Sequence, residues 1–185
     1  MSLKDTQKLI VEECACALGC IDESQGEQLI DAILEAEKVY FCGVGRVLLS
    51  LQSICKRLAH LGIETHYVGE ITEPAITPGD LLIVASGSGE SIFPKGIAQK
   101  AHSLNVRIAW IGSNDESTIA SLASIRVRIP VQTKLNRKDE IASRQPMTSL
   151  FEQALLIFGD AIAMEIVARK QLCVKELWQY HANLE

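Results

Sequence analysis

The chain has 185 residues, 48% of them apolar and 22% charged, with a formal net charge of −5. That length suits one domain whose core holds without disulfides or metals, and the mild acidity argues against nucleic acid as the main partner, because a phosphate backbone calls for a basic face. Aromatic residues make up only 5%, so the core is mostly Leu, Ile, Val and Ala, the usual filling of a parallel sheet between helices.

Residues 3–18 and 23–37 carry apolar residues at helical spacing: Leu9, Ile10 and Val11, then Leu29, Ile30, Ile33 and Leu34. Gly19 and Asp22 stand between them as a stop and an N-cap, predicting a helical hairpin of the kind that supplies an oligomer surface. The pattern then changes. Val39-Tyr40-Phe41-Cys42 is a continuous apolar run, the mark of a strand buried on both faces. Gly43-Val44-Gly45-Arg46 breaks it, and a helix follows to about Leu61. Strands are predicted at Thr65–Val68, Leu81–Ala85, Arg107–Ile111 and Arg126–Val131. Helices are predicted from Ser91 to Leu104 and from Ser117 to Ala123. Residues 132–146 are polar and aperiodic and read as a long functional or mobile loop. A long helix from Thr148 to about Lys170 and a short one over 175–181 complete the chain. Apolar strands alternating with helices predict an α/β fold with a parallel sheet and right-handed crossovers.

No run reaches the roughly 18 apolar residues of a membrane span. The first residues, MSLKDTQKLIVEE, lack the apolar region of a signal peptide. Both point to a cytoplasmic protein with no membrane partner. The six cysteines (14, 16, 20, 42, 55 and 173) include no C-x-x-C pair, so no zinc site or redox pair is indicated, and they read as small buried hydrophobes in a reducing compartment.

In a parallel sheet, ligands bind at the carboxyl ends of the strands, and two glycine-rich turns fall there. Ser86-Gly87-Ser88-Gly89-Glu90-Ser91 lies between a buried strand and a helix start. Gly87 and Gly89 would let the backbone take positive φ and turn its N–H groups inward. Ser86, Ser88 and Ser91 add hydroxyls, and the helix start adds partial positive charge. This is a neutral cradle for a phosphate. The other turn, GVGR, either opens a dinucleotide fingerprint, with Glu70 as the ribose-binding acid, or lines a sugar site with Arg46. Leu48 stands where that fingerprint places its third glycine. Glu152 lies near the start of the long helix, where the dipole favours a carboxylate and burial would suit it to work as a base. His60 sits at the end of a helix and His181 near the chain end.

With GVGR, RLAHLG, YVGE, PGDLLI, SGSGES and QPMTSLFEQ in order, the chain resembles the sugar isomerase (SIS) domain and, within it, the 6-phospho-3-hexuloisomerase family. The resemblance covers nearly the whole chain, read as a single domain over 1–185. It implies a flavodoxin-like three-layer sandwich around a five-stranded parallel sheet, and a homotetramer or dimer with active sites near subunit contacts. It also implies interconversion of D-arabino-hex-3-ulose 6-phosphate and fructose 6-phosphate, with no metal or organic cofactor. Carried over to this chain, Ser86, Ser88, Gly89 and Ser91 would hold the phosphate of the sugar phosphate. Gly45 and Arg46 would line the sugar, Glu152 would be the base, and His60 or His181 its partner acid. Val47 departs from the family pattern, which has serine after GxGR, and makes the pocket drier. That departure leaves open a non-catalytic module that binds or senses a sugar phosphate.

Overall fold

Three apolar runs form the middle of the sheet because water reaches neither of their faces: β1 (Val39–Cys42), β3 (Leu81–Ala85) and β4 (Arg107–Gly112) are buried almost throughout. The shorter β2 (Thr65–Tyr67) and β5 (Ile125–Arg128) flank them as the edges. All pairings are parallel, in the order β2-β1-β3-β4-β5. The computed structural model describes residues 1–184.

Alternation along each strand sorts side chains between two cores. Phe41, Ile83, Ile111 and Val127 face one layer of helices, namely α1 (Leu3–Gly19), α2 (Glu23–Glu35), α3 (Gly45–Ala59) and α6 (Ser149–Arg169). Tyr40, Cys42, Leu82, Val84 and Trp110 face the other core, under α4 (Ile92–Ser103) and α5 (Thr118–Leu122). The expected three-layer α/β architecture is therefore present. The predicted caps hold: Asp22 accepts from the Ser24 amide at 2.8 Å, and Ser117 from the Ala120 amide at 3.3 Å. The final helix is a single 3-10 stretch, Glu176–Tyr180, with Tyr180 packed over Gly62.

Three expectations change. Val11 is exposed, and α1 instead buries Cys14 and Ala17. Cys16, Cys20 and Cys173 are exposed, so only half the cysteines act as core hydrophobes. The polar stretch 132–146 is pinned rather than loose. Val131 bridges Ile141, and Glu140 accepts from Thr133 Oγ1 (2.6 Å) and from the Thr133 and Arg137 amides (both 3.0 Å). Glu13 of α1 accepts from Ser143 Oγ (2.6 Å), the Arg144 amide (2.9 Å) and Gln145 Nε2 (3.0 Å). Burial pushes the Glu13 pKa upward, but these donors together outweigh it and hold the carboxyl below its usual value.

Helices α3 and α6 meet at Gly159, where a Cβ would stand 2.3 Å from Ile54 Cγ1 and 2.4 Å from its Cδ1. Gly159→Ala forces these helices apart, and denaturant melts should show a loss of about 1–3 kcal/mol, the usual cost of overpacking.

Candidate active site

Strand order reverses between β1 and β3, which opens the crevice in which α/β sheets receive ligands. The turns 43–46 and 86–91 leave the sheet on its two sides.

In the second turn, Ser86 Oγ accepts from the Gly89 amide at 3.1 Å and donates to Ser91 Oγ at 3.4 Å. Ser88 is held from both ends: its Oγ accepts from the Glu90 amide (3.4 Å), and its carbonyl accepts from Asn114 Nδ2 (3.3 Å). Gly89 has φ +64°, and a Cβ there would lie 1.9 Å from Ser117 Oγ. Gly87 is different from expectation. Its φ is not positive; it is small because a Cβ would stand 3.2 Å from Thr133 Cγ2. The same Cβ would lie 3.8 Å from the Phe151 ring, so the turn rests against the first turn of α6.

Ser91, the N-cap of α4, makes no side-chain capping bond. Among the described residues, the amides of Gly87, Ser88, Ser91, Ile92 and Phe93 have no hydrogen-bond acceptor. Several free donors at a helix start form an anion cradle. Glu90, in the middle of this turn, is directed elsewhere. It accepts from the Thr118 amide at 2.6 Å and from Lys95 Nζ at 3.0 Å. The Thr118 amide, followed by Lys95, pulls its pKa from 4.5 down to about 2.

At the first turn, Gly45 (φ +60°) swings the chain from β1 into α3. Arg46 follows, and its Nε donates to Glu152 Oε2. Glu152 is only 7% exposed, whereas the Arg46 side chain is 65% exposed. Thr148 Oγ1 donates to the other carboxylate oxygen, Oε1, at 3.1 Å. One turn further along α3, Ser50 Oγ donates to the Glu152 carbonyl at 2.9 Å, fixing the helix that carries the carboxylate. Glu70, the acid a dinucleotide would need, is 2.5 Å from His66 Nδ1 instead.

The two candidate acids lie elsewhere. His60 caps the far end of α3, about 20 Å along the helix from Arg46 at 1.5 Å per residue. It stacks on His181, with ring centroids 5.2 Å apart. Both rings line a cavity of about 570 Å³ that also touches Arg57, Asp160, Met164 and Trp178. Within one chain, therefore, the histidines meet each other and not Glu152. Among the described residues, no group of three or more His, Cys, Asp or Glu side chains is gathered as a metal site, and no helix is long and apolar enough to cross a membrane.

No family model matches the chain. Over 176 residues it is 38% identical to the 3-hexulose-6-phosphate isomerase of Bacillus subtilis, covering 95% of each protein. It is 37% identical over 177 residues to the enzyme of that name from Mycobacterium gastri, covering 96% of this chain and 88% of the other. The chain belongs to the 3-hexulose-6-phosphate isomerase family. A Methanococcus jannaschii protein, whose crystal structure infers the same molecular function, superposes with a TM-score of 0.85 at 29% identity, covering 98% of this chain and 99% of its own.

Within this isomerase family's pattern, the Val47 side chain packs inward. It lies against the core cluster under α3, and a Cβ on Gly43 would meet its Cγ1 at 3.4 Å. Sequence reasoning passed over Thr148, Ser50 and Asn114. Thr148 carried a usable signal, since it stands four residues before Glu152 at the head of a helix, a spacing that brings side chains together.

Because the folded pKa of Glu90 lies below 4.5, its contribution to stability is complete above that pH and fades as the pH falls towards about 2. In Glu90→Gln, the deficit relative to the parent protein should therefore be present at neutral pH and shrink across that window. Urea melts at stepped pH read it directly, and a deficit that does not change with pH refutes it.

Proposed function

We propose that this isomerase interconverts D-arabino-hex-3-ulose 6-phosphate and fructose 6-phosphate, with Glu152 as the base. One observation carries the assignment of the base. A buried carboxylate, held at both oxygens, stands on the helix turn that backs an anion cradle with free amides.

The phosphate sits on the free amides of Gly87, Ser88 and Ser91 and on the hydroxyls of Ser86, Ser88 and Ser91, with Gly89 turning the chain around it, and Gly45 and Arg46 line the sugar. Gripping the phosphate away from the reacting carbons supplies binding energy that positions them. Glu152 removes the proton from C2 of the 3-ketose. The electrons of that C–H bond form a C2=C3 double bond, and the C3 carbonyl oxygen takes up negative charge, then a proton, giving a cis-enediol. Return of the proton from Glu152 to C3, with loss of the C2 hydroxyl proton, leaves the carbonyl at C2. A single carboxylate on one face serves both transfers. The Arg46 guanidinium is well placed to leave Glu152 for the ligand, because most of its side chain is in solvent.

A histidine acid for the oxygens must come from another subunit, since His60 and His181 lie at the wrong end of α3 in the same chain. This supports a homotetramer, or a dimer, in which the histidine-lined cavity of one copy meets the crevice of another. The protein is then a single SIS domain acting in the cytoplasm on a small phosphorylated sugar.

Two variants test this. Glu152→Gln should cut deuterium incorporation from solvent into fructose 6-phosphate by about 10²–10⁴-fold, the range for loss of a general base. Thermal stabilisation by the same compound should persist. Exchange near the parental rate removes Glu152 from the role. Gly89→Ala should instead abolish the stabilisation by fructose 6-phosphate, because its Cβ collides with Ser117 and its φ is forced.

A further inference from the structure

We propose that Thr148 is a positioning residue for the Glu152 carboxylate, fixing which of its oxygens faces the substrate. The inference rests on the reading of Glu152 as the base and adds to it.

Thr148 is the N-cap of α6, and a threonine there ordinarily turns its hydroxyl to accept from an amide of the first helical turn. This one does not: no side-chain capping bond forms. Instead its hydroxyl proton is given to Glu152 Oε1 at 3.1 Å. The backbone is shaped for that contact. Met147, just before it, has φ +57°, a left-handed conformation that a long side chain rarely adopts, and its own side chain is 91% exposed and fills no pocket. Ser149 Oγ donates to the Pro146 carbonyl at 2.8 Å and closes the turn. The tight bend thus presents Thr148 to the carboxylate.

A glutamate carboxylate turns easily about its last torsion, whose energy profile is broad. Two donors stop it in the free enzyme. Arg46 is one, but its exposed side chain is the group that moves to a ligand. Thr148 is the other. It is half-buried and tied to the helix start, so it stays when Arg46 leaves. With Oε1 held by Thr148, Oε2 is the oxygen released toward the substrate carbons. The effect is to keep a near-attack orientation during the step in which the arginine is otherwise engaged.

The test compares Thr148→Val, which keeps the shape and loses the hydroxyl, with Thr148→Ser, which keeps the hydroxyl, using fructose 6-phosphate as substrate. Thr148→Val should lower kcat about tenfold, a typical loss when a catalytic group is misaligned. KM should stay within about twofold, because ground-state binding rests on the phosphate cradle. Thr148→Ser should retain most of kcat. Parental kcat in Thr148→Val, or an equal loss in Thr148→Ser, overturns the proposal. Thr148→Ala, which cannot overfill the site, makes the same comparison if the valine variant melts early. Glu152→Gln separates the two levels of the argument. If it still exchanges protons, the base assignment fails. If it is inactive while Thr148→Val and Thr148→Ala behave as the parent, only the role of Thr148 fails.

Discussion

A carboxylate placed almost entirely out of water must be matched by donors, or the fold loses more than it gains. Glu152 is matched from two directions, by Arg46 at the head of α3 and by Thr148 at the head of its own helix. Meeting that constraint fixes the relation of α3 to α6. Ser50 ties the Glu152 carbonyl to α3, and Gly159 lets Ile54 come close further along. The contacts that stabilise one layer of the sandwich are thus the contacts that aim the carboxylate, so packing and chemistry cannot be varied separately here.

The other half of the crevice handles charge differently. A phosphate could be met by lysine, but the lysine nearest in sequence, Lys95, is paired with Glu90, whose carboxylate also clasps the start of α5. The cradle itself is left to main-chain amides and hydroxyls. Amides cannot change protonation and stay fixed by the fold, so the same donors are present with or without ligand. The net charge of −5 does not argue against the proposed phosphate, because free main-chain amides at a helix start give local positive potential whatever the overall charge.

Much of this was legible in the chain before any coordinates. Leu81–Ala85 is apolar at every position, so it had to be a strand covered on both faces, and the Gly/Ser turn that follows had to lie at its carboxyl end. Glu152 could be placed on a helix start from the residues around it. What stayed hidden depends on contacts across long stretches of chain. Residues 132–146 look unstructured because their order comes from Glu140, within the loop, and from Glu13, more than a hundred positions away. The role of Gly87 was misread for a similar reason. Local rules suggest an unusual φ, whereas the requirement is room for Thr133 and Phe151. His60 and His181 were read as candidate partner acids, but a sequence does not show that one chain keeps them at the opposite end of a helix from the carboxylate.

Val47 shows how position within a helix decides what a substitution means. Where the family pattern has a serine, an isopropyl group suggests a drier pocket. Its packing against the core beneath α3 gives it a different consequence, because the first turn of that helix has Gly45 at its head and no side-chain cap to secure it. Arg46 belongs to the same turn and must be steady enough to meet Glu152 yet exposed enough to reach a ligand. An apolar anchor at the next position holds the backbone of that turn on the core and leaves the guanidinium in solvent. The substitution thus supports the carboxylate's partner from below, and Arg46 and Glu152 stay together at the crevice while the histidines stay at the other end of α3.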